Sequence, residues 1–303
     1  MAAPYWGIDL GGTKIEAVIL ESIVNPEPLI RKRIPTEASQ GYKHVIGQIK
    51  KLVDQIAAES NLNPEIIGIG TPGSLDPVTG TMKNSNTTCL NDQSLKKDLE
   101  TALGFPVKMA NDANCFALAE AKLGIVAKEM PKAQVVFGVI LGTGVGGGIV
   151  VNGQVLNGRQ GIAGEWGHNF LDESGGKCYC GKIGCVERVI SGPALQRYYT
   201  SLTSHELPLK EILIKYQDKS DQNASLTIER LTSFFGKAIA NVINILDPDA
   251  VVIGGGVGNI DQLYTLGVEA AQPYIFNTRF DTRFFKPALG DSAGVFGAAM
   301  LNS

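Results

Sequence analysis

The sequence predicts an α/β protein built from two related halves, and three observations carry that reading. Short apolar runs that break at glycine alternate along the chain with stretches of helical periodicity. A strand–glycine–strand pattern occurs twice: GIDLGGTKIEAVIL from Gly7 lies over GVILGTGVGGGIVV from Gly138, with Leu10 on Leu141 and Gly11 on Gly142, at a constant offset of 131 residues. Any two hairpins of this kind look alike, so duplication and coincidence are both open at this point. Finally, three glycine loops each follow an apolar strand: Gly11-Gly12-Thr13-Lys14, Gly142-Thr143-Gly144 through Gly148, and Gly254-Gly255-Gly256.

The elements follow in order. YWGIDLGGTKIEAVILE reads as a β-hairpin pinched at Gly11-Gly12. GYKHVIGQIKKLVDQIAAES places Val45, Ile49, Leu52, Val53 and Ile56 at helical spacing. EIIGIGTPGSLDP is a short strand that breaks into a proline-bearing loop, and SLKKDLETALG is a helix closed by Gly104. FPVKMANDANCFALAEAKLG reads as a strand, a turn at Asn111-Asp112, and a helix. QVVFGVILGTGVGGGIVVNGQ is the second hairpin. Beyond a cysteine-rich loop, IERLTSFFGKAIANVINILDP is the clearest helix, DAVVIGGGVGN a buried strand entering a glycine turn, and SAGVFGAAML a terminal helix of small residues. No Ser/Gly- or Pro-rich linker divides the halves. The boundary is expected near residues 110–120, with a cleft there.

Composition narrows the function classes. A net charge of −3 with no long basic run argues against nucleic acid or an anionic membrane held by bulk charge. No stretch approaches the roughly 20 apolar residues of a membrane span. The start, MAAPYWGIDLGGTK, lacks the basic and apolar regions of a secretory signal. Five cysteines are too few, and odd in number, for a disulfide scaffold of this length. A cytoplasmic protein is expected.

Glycine at a strand end lets backbone N–H groups approach a phosphate, and Thr13, Lys14 and Thr143 add hydroxyl and ammonium donors. Each loop alone reads equally as a tight turn; three together favour a nucleotide. Gly142, Gly144 and Gly147 fit G-x-G-x-x-G, but the strand-like IVVNG follows where a dinucleotide fold needs a helix. The stretch CYCGKIGCVE admits a disulfide knot, a metal clip or part of an active site. With His168, the thiols of Cys178, Cys180 and Cys185 make a complete tetrahedral zinc set, leaving no position for a catalytic water. Cys89 and Cys115 read as inert, and His44 and His205 as surface histidines.

In this order, GIDLGGTK, ANDANC, ILGTGVGGGI, GEWGH and CYCGKIGCVE resemble the ROK family of sugar kinases, members of the actin/hexokinase-like ATPases. The resemblance runs from Gly7 nearly to the C-terminus. It implies two actin-like (ribonuclease H-like) α/β domains with mixed sheets flanking a deep cleft. These are residues 1–115 and 116–290, with a C-terminal helix of about 291–303 packing back on the first. It implies transfer of the ATP γ-phosphoryl group to a sugar hydroxyl with Mg²⁺, a structural Zn²⁺, and a homodimer. Some relatives are repressors with a helix-turn-helix ahead of the first hairpin. Only six residues precede Gly7 here, which disfavours the repressor reading, and Asp112 with intact phosphate loops disfavours a purely sugar-sensing module.

Sugar hydroxyls have pKa values far above 7, so a placed carboxylate assists by accepting the proton. By resemblance Asp112 is that base; taken alone, it could equally be a helix N-cap. The resemblance assigns sugar contacts to Asn111, Asp112, Glu165, His168 and Glu187, with Gly73 and Asn86 lining the same pocket. It assigns Asp9 to the Mg²⁺ or its waters. The nucleotide falls to Gly7, Ile8, Asp9, Leu10, Gly11, Gly12, Thr13 and Lys14, to Gly142, Thr143, Gly144, Val145, Gly146, Gly147, Gly148 and Ile149, and to Gly254, Gly255 and Gly256, the last three beside adenosine. A surface role for Lys14 stays open. The motifs are most similar to those of bacterial fructokinases that also take mannose, with N-acetylglucosamine next and glucose third.

Overall fold

A computed structural model describes residues 4–23 and 26–303. In chain order the strands are β1 (Tyr5–Leu10), β2 (Lys14–Leu20), β3 (Pro28–Pro35), β4 (Ile67–Thr71), β5 (Ser74–Leu75), β6 (Met82–Lys83), β7 (Val107–Asn111), β8 (Val135–Leu141), β9 (Val145–Val151), β10 (Gln154–Val155), β11 (Ala250–Gly254) and β12 (Arg283–Phe285). The helices are α1 (Tyr42–Ser60), α2 (Leu95–Leu103), α3 (Asp112–Lys122), α4 (Ile125–Glu129), α5 (Val186–Ile190), α6 (Gly192–Thr203), α7 (Leu209–Gln217), α8 (Gln222–Leu246), α9 (Leu266–Ala271) and α10 (Ala293–Met300). The chain forms two compact units. The first comprises residues 1–134, 148–163 and 288–303; the second comprises 135–147 and 164–287.

The sheet of the first unit has the order β3-β2-β1-β4-β7. β1 runs antiparallel to β2 and parallel to β4, which runs parallel to β7. Side chains alternate across β1. Trp6, Ile8 and Leu10 join the core shared with Val45, Ile49, Leu52 and Ile56 of α1 and with Leu95, Leu99 and Leu103 of α2. On the other face α10 lies directly on the strands. A Cβ at Gly68 would fall 1.8 Å from the Ala298 carbonyl oxygen, so only glycine admits that approach. Buried Glu120 of α3 secures the returning chain by accepting from the N–H groups of Ile125, Ala288 and Leu289 at 2.9–3.1 Å. Three donors satisfy a carboxylate that would otherwise be costly to bury.

β3 is an edge strand that its sequence, PLIRKRIP, disguises: three consecutive charges, Arg31, Lys32 and Arg33, interrupt its apolar positions. Two of those charges, Arg31 and Arg33, pair with buried Glu16 of β2. The turn expected at Asn111-Asp112 is absent, because β7 runs straight into α3.

The second sheet has the order β10-β9-β8-β11-β12, the arrangement of the first with each strand replaced by its counterpart. β8 and β11 are parallel, as are β11 and β12. The division between units falls within β9, after Gly147. In the second unit the long α8 buries Ile228, Leu231, Phe235 and Ile239, a helical stripe of the kind its periodicity predicts.

Candidate active site

In the first unit the acidic groups gather where β1, β4 and β7 end. The carboxyl ends of parallel strands are the usual ligand position in open α/β sheets. Asp9 projects from β1 on the α10 side. Its nearest chain neighbours include Gly70 and Gly294, where added Cβ atoms would come within 3.5 and 3.0 Å of its carboxylate oxygens. Asp9 has no hydrogen-bonding partner among the described residues. Burial, reinforced by the charges of Asp112 and of its cross-strand neighbour Glu16, pushes its carboxyl up to about 6. A carboxylate without donors, raised by other carboxylates, suits a cation.

Asp112 is the first residue of α3, and the N-cap is its neighbour. Asn111 Oδ1 accepts from the Asn114 N–H at 2.8 Å. The capping role open to Asp112 in the sequence therefore belongs to Asn111, and capping engages its Oδ1 rather than its Nδ2 group. Asp112 Oδ1 accepts from the Ala113 N–H at 2.8 Å, and Oδ2 carries no hydrogen bond among the described residues. Asp112 is exposed by area yet ringed by protein. The resulting loss of solvation raises its carboxyl, opposed by hydrogen bonds from the Ala113 N–H and its own.

The other predicted residues of this unit divide between two recesses. Asn111 lines a cavity of about 250 Å³ with Thr71, Ser74, Met109 and Asn114. Asn86 lines a separate one of about 500 Å³ with Gly12, Thr13 and Thr87. Gly73 packs against the Lys83–Ser85 backbone. Ile8 and Leu10 face the core, and Gly7 lies under α10. Gly148 meets Ala113 of α3, and Ile149 is buried. These positions have only backbone to offer a nucleotide, whereas Gly12, Thr13 and Lys14 are exposed at the turn.

In the second unit the β8–β9 turn is tied down from two sides. The Gly192 N–H at the start of α6 donates to the Gly142 carbonyl at 2.8 Å, and the Val145 N–H donates to Glu187 Oε2 at 3.1 Å. A Cβ at Gly144 would stand 2.7 Å from that same oxygen, so the carboxylate occupies the space a larger residue would need. Val145 and Gly147 are packed inward, Gly147 against Trp166. Gly254 ends buried β11, followed by exposed Gly255 and Gly256. A cavity of about 610 Å³ runs along α6, lined by Pro193, Gln196, Arg197, Thr200, Leu207 and Pro208. No sequence motif pointed to it, although it is made by one face of α6 and the loop that directly follows it.

The cysteine loop closes on itself. Ligand atoms of His168, Cys178, Cys180 and Cys185 all lie within 4.8 Å of one another. The Cys180 and Cys185 sulfurs are 3.5 Å apart, and Cys178 Sγ is 3.6 Å from His168 Nδ1. Tetrahedral zinc, with bonds of roughly 2.0–2.3 Å, needs ligand atoms roughly 3.5–3.8 Å apart. A disulfide needs about 2.05 Å, and all five cysteines are free. With Nδ1 turned to the sulfurs, His168 Nε2 meets the Tyr179 hydroxyl at 3.0 Å. Incomplete solvation, then the charges of Glu187, Cys178 and Glu165, push the Tyr179 phenol up to about 12.

Each unit carries a hairpin of the same topology; the first adds a non-capping acid at a strand–helix junction and the second a four-ligand clip. The ROK family profile matches residues 5–303, and the chain belongs to the ROK family of sugar kinases. It is 35% identical over 308 aligned residues to an N-acetyl-D-glucosamine kinase of Yersinia enterocolitica, covering 98% of this chain and 99% of that one. Among solved structures it resembles a ROK hexokinase from Thermus thermophilus (TM-score 0.87, 32% identity, 98% and 97% of the two chains). A ROK glucokinase from Streptomyces griseus, solved with glucose and AMPPNP, is also similar (TM-score 0.77, 27% identity, 99% of both chains). No helix among the described residues is long and apolar enough to cross a membrane.

Proposed function

We propose that this ATP-dependent hexose kinase phosphorylates N-acetylglucosamine at O6, with Asp112 as general base. The observation that carries the substrate is the end-to-end similarity to N-acetyl-D-glucosamine kinases, at 35% identity in the Yersinia enterocolitica enzyme. The motif-level preference for fructose or mannose finds no support among these relatives. Asp112 Oδ2 accepts the hydroxyl proton as the phosphoryl group leaves ATP. Its raised pKa makes it a better proton acceptor than an ordinary aspartate. Glu165, His168 Nε2 and the free oxygen of Glu187 select the hydroxyl pattern of the ring.

The Gly11–Lys14 and Gly142–Gly144 turns hold phosphates through backbone N–H groups, and the cavity along α6 takes the adenosine. Asp9 would hold Mg²⁺ or its waters; bound there, the ion would neutralise the phosphate charge that builds up in transfer. His168, Cys178, Cys180 and Cys185 would hold a structural Zn²⁺ that sets the angle of the His168 ring and the position of Glu187 two residues beyond Cys185. ADP release measured with N-acetylglucosamine, glucose, mannose and fructose tests the substrate. The highest kcat/KM is expected for N-acetylglucosamine, and a fructose or mannose optimum would overturn the reading.

A further inference from the structure

The β8–β9 turn and everything that ties it down lie within the second unit. The backbone N–H groups from Gly142 to Val145 can each be accounted for. The Gly142 N–H is used inside the turn, on the Gly144 carbonyl at 3.0 Å, and the Val145 N–H goes to Glu187 Oε2 at 3.1 Å. Between them, the Thr143 and Gly144 N–H groups donate to nothing among the described residues. The other end of the turn is held by the same neighbour. Gly142 accepts from the Gly192 N–H at 2.8 Å, and the adjoining Ser191 N–H donates to the Glu187 carbonyl at 3.2 Å. The segment from Glu187 to Gly192 therefore grips both ends of the turn. Gly144 shows how closely. Its φ is not left-handed, and Glu187 Oε2 and Cδ, at 2.7 and 3.7 Å, are the only described atoms beyond its chain neighbours that a Cβ there would meet.

We propose that Glu187 is a positioning residue for the nucleotide: by accepting from Val145 it fixes the turn and leaves the Thr143 and Gly144 N–H groups to the phosphates. This goes beyond its contact with the sugar and rests on the reading of the protein as an ATP-dependent kinase. Backbone donors on a glycine turn bind an anion well only if the turn already has its shape, since glycine has many other conformations to lose on ordering. Glu187 supplies that shape from the side. The arrangement makes a prediction of sign. A carboxylate this close to a phosphate site repels the anion, so charge alone would make its removal tighten nucleotide binding. A positioning role predicts the opposite.

The test is the affinity for AMPPNP with Mg²⁺, measured by calorimetry without sugar, where a residue that only contacts sugar has no effect. Glu187→Ala should weaken binding about ten-fold, the loss expected for a hydrogen bond to a charged acceptor. Glu187→Gln keeps an oxygen acceptor and loses the charge, so it should bind at least as tightly as wild type. Gly144→Ala should weaken wild type about ten-fold yet change the Glu187→Ala variant less than about two-fold, because the atoms its Cβ would meet are gone. Melting temperatures show which variants are folded. If Glu187→Ala is not, Glu187→Asp, whose shorter arm draws the carboxylate back from Val145, takes its place in the cycle. Undiminished affinity in the folded Glu187 variant, or additive losses in the double variant, would overturn the proposal and leave the kinase reading standing. A wild type that binds no AMPPNP with or without sugar would overturn both.

Discussion

The two hairpins share a backbone and differ in charge. β1 ends at Leu10 and β8 at Leu141, and β2 begins at Lys14 and β9 at Val145, so the offset of 131 residues holds strand by strand. Each hairpin sits at the same place in a five-stranded sheet of the same order. Yet Ile140 stands where the first hairpin has Asp9, Val145 where it has Lys14, and Gly147 where it has Glu16. The first turn ends in exposed hydroxyl and ammonium groups beside a pair of acids. The second has no charge of its own and borrows one from Glu187. A repeated topology thus supplies two glycine turns, while the acids Asp9 and Glu16 occur in only one copy.

The largest test of that asymmetry is Asp112→Asn. Turnover should fall about 10²–10⁴-fold while sugar still raises the melting temperature. Normal turnover at saturation with lost sugar affinity would make Asp112 a binding residue. Metal removal probes the other unit. Chelation should lower the melting temperature by several degrees and weaken sugar binding together, since the clip holds His168 and the start of α5. Unchanged stability and affinity in metal-free protein would sink the structural-metal reading.

Paired glycine substitutions compare the turns directly. Gly144→Ala should cost about ten-fold or more in kcat/KM, because its Cβ meets Glu187 Oε2 at 2.7 Å. Gly12→Ala meets only the Thr87 hydroxyl at 3.2 Å and should cost less. Equal effects would remove the distinction between the turns.

The last test is pH. The carboxyl of Asp9 is raised to about 6 in the folded protein, so it binds its proton more tightly there than in the unfolded chain. Its contribution is fully present below the unfolded value near 4 and is lost as pH rises through 6. Relative to Asp9→Asn, the ligand-free wild type should lose about 2–3 kcal/mol between those limits. Denaturation curves that run parallel in pH would show that Asp9 is not strained.

What the sequence revealed depended on how local the signal was. α1 was legible because five apolar residues repeat at helical spacing, and all of them are buried. The cysteine clip was legible because its ligands lie close in the chain. α2 was legible down to its end, since Gly104 adopts the left-handed conformation that closes it. β3 was hidden because its centre carries Arg31 and Arg33, whose partner Glu16 lies on another strand, and Lys32, which pairs with Glu59 of α1. The capping role of Asn111 was hidden because Asn and Asp compete for it at adjacent positions. The Ser74–Asn114 cavity was illegible, as it is assembled from segments far apart in sequence; the α6 cavity is local, but its lining residues carry no motif.

The seating of α10 on β1 and β4 also has a consequence for synthesis. As a nascent chain, the protein can complete its second unit once residue 287 has emerged. The first unit, although its strands are made earliest, must wait for residues 288–303 before Gly68 and the face of β1 carrying Asp9 are covered. Order of translation and order of completion are therefore reversed. The bare face of the earliest sheet is the surface that a chaperone would have to shield until the last helix arrives.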